Sequence, residues 1–256
     1  RRGFQIVDEH QPADVLVLNT CSVTERADRE CRQVIRRLRR RSPGAYVVVA
    51  GCYAELQPEA IAAVEGVDLV LGSKEKFDLF SYAGSFEKLG TPPQIHVRGI
   101  HRQTDADPAR SGGLEDRTRA FLKIQDGCDY SCTFCTIPLA RGDSRSVKPD
   151  VVLAEARALV NEGFREIVLT GVNVGDYGKK LETSLLQLLA GLVAVDGLDR
   201  IRISSVEPNL LTDSLLDFWL SQRKLCRHFH LPLQSGSDGV LARMRRRYRR
   251  SLYADR

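Results

Sequence analysis

Residues 127–138 read GCDYSCTFCTIP and hold three closely spaced cysteines, Cys128, Cys132 and Cys135. Three residues separate the first two thiols, and two residues separate the second from the third. Thiolates are soft ligands that bind zinc, copper(I) and iron–sulfur clusters. A closed zinc site needs four ligands, yet the next histidine after Cys135 is His228. Three thiolates on a 4Fe–4S cluster leave one iron open, so this stretch predicts a cluster that can bind a substrate.

Two other interpretations of the three cysteines remain open from the residues alone. They are an irregular zinc knuckle and a group of buried free thiols. A predicted strand, 120–125, precedes the cysteines, and Phe134 stands directly before the last of them. A CxxxCxxC loop with an aromatic residue at that place resembles the cluster loop of the radical S-adenosylmethionine (SAM) enzymes. The spacing therefore favours the cluster over both alternatives.

Composition places the chain among globular proteins that do not span a membrane. Its 256 residues are enough for one large or two ordinary domains, and 43% are hydrophobic and 28% charged. No apolar run approaches membrane-spanning length, and no leader opens the chain. Seven cysteines without a secretory signal predict a reducing, cytoplasmic location. Because the chain opens at Arg1 without Met and stops within a charged helical pattern, we expect a fragment of a longer protein.

Positive charge is concentrated in two arginine clusters, although the formal net charge is only +5. Clustered arginines fit contacts with nucleic-acid phosphates, and a solvated helix face fits them equally well. We predict RNA or substrate contacts for three residues of the second cluster and for two arginines that follow the cysteines, Arg141 and Arg145. The first cluster consists of Arg36, Arg37, Arg39, Arg40 and Arg41. The second consists of Arg243, Arg245, Arg246, Arg247, Arg249 and Arg250. The three predicted contact residues of the second cluster are Arg245, Arg246 and Arg247.

Residues 1–82 are predicted to form an α/β domain with a flavodoxin- or Rossmann-like parallel sheet. Short apolar runs rich in β-branched residues are typical of strands that are buried on both faces. Alternation of strands and helices predicts right-handed parallel crossovers. The predicted strands are 14–19, 46–50 and 68–71, and the predicted helices are 24–41 and 58–64.

Two cysteines follow the first two of these strands. Cys21 comes after strand 14–19 and Cys52 after strand 46–50. The carboxyl ends of parallel strands meet at one edge of a sheet, so we expect the two thiols to lie close together. They are candidate metal ligands, and two small buried cysteines are the equally weighted alternative. Cys31, inside the first helix, receives no role.

Residues 83–117 are predicted to be a linker, with a short strand near 95–97. Glycine, proline and scattered charges occur here without a sustained period. His96 and His101 fall in this segment and are given no role, because a lone loop histidine is more often solvated than a ligand.

Residues 118–256 are predicted to form a βα barrel that is truncated at its carboxyl end. Four predicted strands alternate with helices, and barrel enzymes carry their chemistry at the carboxyl ends of the strands. The predicted strands are 120–125, 166–171, 200–204 and 228–233, and the helices are 149–162, 184–194 and 211–221.

Polar segments follow these strands at the same rim as the cysteine loop. Their glycine, amide, hydroxyl and carboxylate groups suit the ribose and ammonium of SAM, although each alone is also a common strand cap. The candidate SAM-binding residues are Phe134, Gly171, Asn173, Ser205, Glu207 and Gln234.

Several longer stretches resemble the methylthiotransferases, a radical SAM family. They are NTCSVTERADRECRQ, VVAGCYAE, RAFLKIQDGCDYSCTFCTIPLARGDSRS, EIVLTGVNVGDYG, RISSVEPNLL and HFHLPLQSGSD. The sequence of these stretches is most similar to that of the branch that methylthiolates N6-threonylcarbamoyladenosine in tRNA. The branches acting on isopentenyladenosine in tRNA or on a ribosomal protein are alternatives, as is a non-catalytic iron–sulfur or zinc protein.

The resemblance implies two 4Fe–4S clusters and SAM as cofactors. Cys128, Cys132 and Cys135 would bind the SAM cluster, while Cys21 and Cys52 match two of three ligands of an auxiliary cluster. The third ligand would lie before Arg1, and the last barrel strands and a small RNA-binding domain would follow the chain. The fragment alone would then bind its auxiliary cluster poorly.

The resemblance also implies the reaction and the partners. One SAM supplies a methyl group, and a second supplies a 5′-deoxyadenosyl radical that activates the adenine 2-position. The substrate would be a tRNA anticodon stem-loop, whose splayed bases a protein can contact. An electron donor such as flavodoxin or ferredoxin would supply reductant to what we expect to be a monomeric enzyme.

Overall fold

The computed structural model describes residues 3–22, 24–88, 92–100, 106, 108–111 and 118–256. His101, to which the sequence assigns no role, lies outside these described residues. The chain forms two compact units. The first consists of Arg1–Arg102 with Leu139–Arg141, and the second of Gln103–Pro138 with Gly142–Arg256.

The first unit contains a parallel four-stranded sheet, of which the buried apolar runs predict the first three strands. The strands stand in chain order, and β2 is buried along its whole length. Strands β1 and β2 pair in register from Val15 opposite Tyr46 to Thr20 opposite Gly51. The strands are β1 (Val15–Thr20), β2 (Tyr46–Gly51), β3 (Leu69–Leu71) and β4 (Gln94–His96).

Two of the four helices described in this unit, the first and the third, lie where the sequence predicts helices, whereas the second and the fourth were not predicted. Thr24 caps the first of them by accepting a hydrogen bond from the backbone N–H of Ala27 at 3.2 Å. Ile35 is the buried residue of that helix, whereas its last turn is basic, which suits the negative end of the helix dipole. The helices are α1 (Glu25–Arg41), α2 (Cys52–Leu56), α3 (Pro58–Ala62) and α4 (Leu79–Ala83).

Strand β4 joins the first sheet, although the sequence assigns its residues to the linker 83–117. It pairs in parallel with β3, with Leu69 opposite Gln94 and Leu71 opposite His96. Gln94 and Ile95 are exposed, as an edge strand allows. A polar three-residue strand of this kind lacks the apolar run that marks the buried strands, so the first unit extends past residue 82.

The second unit is built on a mixed sheet whose order is β10-β9-β6-β5. Strands β6, β9 and β10 are parallel, and β5 is antiparallel to β6. A separate two-stranded pair, β7 with β8, encloses the cysteine loop. The strands are β5 (Ala109–Ser111), β6 (Ala120–Lys123), β7 (Gln125–Asp126), β8 (Arg145–Ser146), β9 (Glu166–Thr170) and β10 (Arg200–Ile203).

Helices cover this sheet and complete its apolar core. Trp219, Leu159 and Leu188 are among the largest buried side chains of the cluster. No helix within the described part of the chain is both long and apolar enough to cross a membrane. A short helix, α5 (Ile137–Arg141), has its last three residues in the first unit. The helices of the second unit are α6 (Pro149–Asn161), α7 (Leu185–Val193), α8 (Asp213–Ser221), α9 (Asp238–Arg243) and α10 (Arg250–Asp255).

The predicted strand 228–233 is wrong, although this segment does run beside β10. Within this segment a single isolated parallel bridge forms, which pairs Ser205 with His230. Carbonyl groups that a ladder would use instead accept from tyrosine hydroxyls, since Tyr248 donates to the carbonyls of Pro232 and Leu233. Pro232 also has no N–H to offer a neighbouring strand.

Ser184 caps helix α7 and offers a modest test of local stability. Its Oγ accepts from the N–H of Gln187 at 3.2 Å. Replacing Ser184 by Ala leaves that donor unsatisfied, so we expect a loss of about 1 kcal/mol in the free energy of unfolding. Urea denaturation measures it, and Ser184→Asp, which keeps an acceptor, is expected to unfold near the wild-type midpoint. Equal losses in both variants would contradict the cap.

Candidate functional site

The three cysteines lie on one irregular loop that leaves β7 and ends in α5. The Cys128 N–H donates to the carbonyl of Gly142 at 3.0 Å, which closes the base of the loop. The N–H of Tyr130 approaches Sγ of Cys128 at 3.4 Å, and the Cys135 N–H donates to the carbonyl of Cys132 at 3.1 Å. All three thiols are partly buried and carry no disulfide.

Gly127 sets the direction in which the cysteine loop starts. Its φ is +70°, a left-handed conformation that suits glycine. A Cβ at this position would lie 1.9 Å from the carbonyl oxygen of Asp143 and 2.7 Å from that of Gly142. Only a residue without a side chain therefore lets the two ends of the loop approach each other.

Without a bound cluster, burial favours the protonated form of two of these thiols, Cys128 and Cys132. Burial raises the pKa of Cys128 to about 11, and Asp176, Cys132 and Cys135 add to this rise. Burial also raises the pKa of Cys132, against the opposing charge of Arg246. Metal binding displaces such protons, because the ligand is the thiolate.

The donor set fits a 4Fe–4S cluster by its chemistry. It consists of three soft thiols on one loop, and clusters are held by cysteine thiolates. Among the described residues, no group of three or more His, Cys, Asp or Glu side chains is arranged to hold a metal ion. A cluster differs from a single ion in that each thiolate binds a different iron.

Gly171 makes room for a side chain that sequence analysis missed, that of Gln125. A Cβ on Gly171 would lie 2.8 Å from Oε1 of Gln125. This oxygen accepts from the N–H groups of Val172 and Asn173, each at 2.9 Å. Nε2 of Gln125 donates to Oγ of Ser144 at 3.0 Å. Gln125 is fully buried, so it ties the loop after β9 to the start of the cysteine loop.

Three buried oxygens near the cysteine loop have no hydrogen-bond donor among the described residues. They are Oδ1 of Asn173, Oε2 of Glu207 and Oδ1 of Asn209. The amide nitrogens of both asparagines do form hydrogen bonds. Nδ2 of Asn173 donates to Asp176 at 2.9 Å, and Nδ2 of Asn209 donates to the Tyr130 hydroxyl at 2.9 Å. An unpaired buried acceptor is costly, and an ammonium or hydroxyl group of a ligand can satisfy it. Asn209 was not predicted, since its segment shows no distinctive spacing.

The remaining predicted SAM residues are more accessible to solvent. Phe134 is 53% exposed, and Gln234 is exposed with a φ of +61°. Ser205 Oγ forms a hydrogen bond of 2.5 Å with Nδ1 of His230. His230 comes from the segment that runs beside β10, so this bond fixes the loop after that strand.

The predicted RNA-binding arginines differ in what an RNA can reach. Arg145 is only 4% exposed, donates to the carbonyl of Asp143 at 3.0 Å and lies 3.9 Å from Asp126. Arg246 is also buried, with 6% of its side chain exposed. Their burial favours contacts within the protein over contacts with RNA phosphates, and local charge patterns do not reveal such ion pairs with distant residues. Arg245 is exposed and keeps that prediction.

Cys21 and Cys52 follow the last paired residues of β1 and β2, as the sequence predicts. Cys21 is exposed and Cys52 is buried. Sγ of Cys31 approaches the carbonyl of Cys21 at 3.9 Å, so this third thiol lies beside Cys21. Arg141 belongs to the same compact unit as Cys52, and its Nε lies 3.3 Å from Sγ of Cys52.

Comparison with known families identifies the second unit. The description of the radical SAM superfamily matches residues 122–255, which is more than half of the chain. The chain belongs to the radical SAM superfamily. Residues 1–72 match a second description, the uncharacterized protein family UPF0004.

Curated relatives of this radical SAM chain share sequence over almost its whole length. A threonylcarbamoyladenosine tRNA methylthiotransferase (MtaB) of Bacillus subtilis is 42% identical over 99% of the chain and 56% of its own length. An MtaB of Aquifex aeolicus is 37% identical over 100% of the chain and 62% of its own length. A tRNA-2-methylthio-N(6)-dimethylallyladenosine synthase of Carboxydothermus hydrogenoformans is 35% identical. The chain thus spans between half and two thirds of these relatives.

A solved radical SAM structure has the same fold. The methyltransferase TsrM of Kitasatospora setae, with cobalamin and a [4Fe-4S] cluster bound, superposes with a TM-score of 0.64 over 95% of this chain and 55% of its own. Sequence identity is 16%, so the likeness concerns the fold alone. It agrees with the predicted α/β fold class.

Proposed function

We propose that the complete protein is a tRNA methylthiotransferase that inserts a methylthio group at the adenine 2-position of N6-threonylcarbamoyladenosine. The observation that carries this proposal is sequence identity of 34% to 42% with relatives of that name over 93% to 100% of the chain. The cysteine loop within the superfamily match supports the radical part of the reaction.

We assign the SAM cluster to Cys128, Cys132 and Cys135. When bound, the cluster supplies the electron that splits SAM and leaves the radical that activates the adenine C–H bond. The chain's own residues orient the reactants and exclude water from them. Asn173, Asn209 and Glu207 carry buried acceptors that suit the ammonium and ribose hydroxyls of SAM.

Phe134, Ser205 and Gln234 complete the proposed SAM site at its solvent side. Phe134 and Gln234 are exposed, and Ser205 is held by His230. Gly171 contributes indirectly, since its missing side chain admits Gln125. These roles rest on position at the carboxyl ends of parallel strands, where such folds bind ligands.

A second 4Fe–4S cluster is proposed at Cys21 and Cys52. The register of β1 and β2 supports this role, because Thr20 pairs with Gly51 and each cysteine follows directly. Nε of Arg141 lies 3.3 Å from Sγ of Cys52, a contact that would help to orient this proposed ligand.

The proposed partners are a tRNA anticodon stem-loop and a small reductant protein such as flavodoxin or ferredoxin, in the cytoplasm, with the enzyme as a monomer. In the second arginine cluster, Arg245 is exposed, as are its neighbours Arg243, Arg249 and Arg250. Arg36, Arg37 and Arg40 of α1 are exposed as well. Such side chains suit phosphates, whose contribution weakens as salt rises.

The proposal is tested with the complete protein, reconstituted anaerobically with iron and sulfide and supplied with SAM and reductant. We expect methylthiolation of tRNA carrying N6-threonylcarbamoyladenosine, detected by mass spectrometry of the digested nucleosides. The control tRNA carries isopentenyladenosine instead and is expected to remain unmodified. Preference for that control tRNA would move the protein to the dimethylallyladenosine branch, to which a relative at 35% identity belongs.

A further inference from the structure

We propose that residues 244–247 form a brace that positions the three-cysteine loop, so that Arg246 and Arg247 support the cluster site rather than bind RNA. The proposal rests on the proposed function only in that the loop binds a cluster. The brace lies more than a hundred residues beyond the loop in sequence and immediately follows α9.

The brace touches the loop between each pair of cysteines. Between Cys132 and Cys135, the Thr133 N–H donates to the Met244 carbonyl at 3.3 Å, and the Arg246 guanidinium lies 5.2 Å from the ring centre of Phe134. A cation above an aromatic face is attracted by the ring quadrupole. A backbone contact therefore holds Thr133, and a side-chain contact holds its neighbour Phe134.

Arg247 holds the first half of the loop, between Cys128 and Cys132. Its guanidinium lies 4.0 Å from the ring centre of Tyr130, and Nη2 donates to the carbonyl of Asp129 at 3.0 Å. The Tyr130 hydroxyl is fixed from another direction by Asn209. These outside contacts therefore hold both halves of the loop that carries the thiols.

The brace is itself held in place by buried contacts. Arg246 forms a 2.7 Å ion pair with Glu207, and both side chains are largely buried. Arg245 adopts a φ of +56°, which turns the chain sharply between the contacts made by Met244 and Arg246. Buried Tyr248 then donates to the carbonyls of Pro232 and Leu233. A buried ion pair that lacks one partner is strongly unfavourable, so Arg246 is specified by its surroundings.

Hydrogen–deuterium exchange of the complete, cluster-free protein tests the brace without requiring activity. In Arg246→Gln and Arg247→Gln we expect amides of residues 127–138 to exchange at least about tenfold faster. Arg245→Gln removes the same charge from an exposed neighbour and is expected to leave the loop rate unchanged. Amides of α7 report on the global fold and are expected to be unaffected throughout.

Two further variants and measurements separate the brace from other roles. Arg246→Lys keeps the charge opposite Glu207 but loses the planar stack on Phe134, so its loop rate should fall between wild type and Arg246→Gln. After reconstitution, Arg246→Gln should retain less loop-bound iron on desalting than Arg245→Gln. In filter binding with tRNA, Arg246→Gln should match wild type.

Two results would overturn the brace. One is a loop that exchanges in Arg246→Gln and Arg247→Gln no faster than in Arg245→Gln. The other is a loss of tRNA affinity in Arg246→Gln without faster loop exchange, which would make it an RNA contact. Failure of the complete enzyme to modify tRNA would leave these outcomes readable, because neither exchange nor iron retention depends on the substrate.

Discussion

Replacing Cys128, Cys132 and Cys135 together by alanine is expected to halve the iron of the reconstituted complete protein and to abolish methylthiolation. Two 4Fe–4S clusters correspond to about eight irons per chain, and loss of one leaves about four. The three thiols are the soft donors of the cysteine loop, and alanine offers no ligand in their place. Chemical iron and sulfide analysis, together with mass spectrometry of tRNA nucleosides, measures both effects.

The matched control is Cys226→Ala, which removes a partly buried thiol away from both proposed clusters. Its backbone carbonyl accepts from Trp219 Nε1 at 2.9 Å, a contact that the substitution retains. We expect this variant to keep all of its iron. Iron that falls from about four to none in the triple variant would contradict a second cluster at Cys21 and Cys52. Zinc in place of iron would contradict the enzyme altogether.

The apolar parallel strands β1, β2, β3, β6, β9 and β10 could be predicted from sequence, because their burial shows in the local pattern of residues. Val47, Val48 and Val49 are buried on both faces of β2, and an uninterrupted apolar run is the pattern that such a strand requires. The cysteine spacing is equally local. Positions after strand ends then follow from the rule that the carboxyl ends of parallel strands share an edge.

Contacts between distant residues could not be predicted in this way. Arg246 stands in the run RMRRRY, which has the composition of a solvated surface, yet Glu207 pairs with it from 39 positions away. Gln125 looks like the polar end of a strand but accepts from Asn173, 48 positions further on. Neither residue belongs to a periodic pattern in the sequence, so its contacts can be found only in the folded structure.

The second large effect is expected for Gly127→Ala, which should destabilise the second unit by roughly 3 kcal/mol or more. Two costs combine in this estimate. A left-handed φ costs an alanine about 1 kcal/mol, and the new Cβ meets the Asp143 carbonyl at 1.9 Å, a backbone atom that cannot swing aside. The pairing of Asp126 with Arg145 must then open.

Gly163→Ala separates the two costs. Gly163 has a φ of +98°, also in the left-handed region, but nothing lies within 4 Å of its added Cβ. We therefore expect this control to lose only about 1 kcal/mol. Urea unfolding of cluster-free protein, followed through the fluorescence of Trp219, compares the two variants, because that residue lies in the same unit.

The same comparison connects the turn to the cluster. If the close approach at Gly127 shapes the loop, Gly127→Ala should also lose loop-bound iron after reconstitution, whereas Gly163→Ala should keep it. The reason is that a displaced Gly127 pulls the Cys128 N–H away from the Gly142 carbonyl, the bond that closes the loop at 3.0 Å. Equal stability and equal iron in the two variants would mean that the steric conflict is relieved without cost, and the turn would then not control the site.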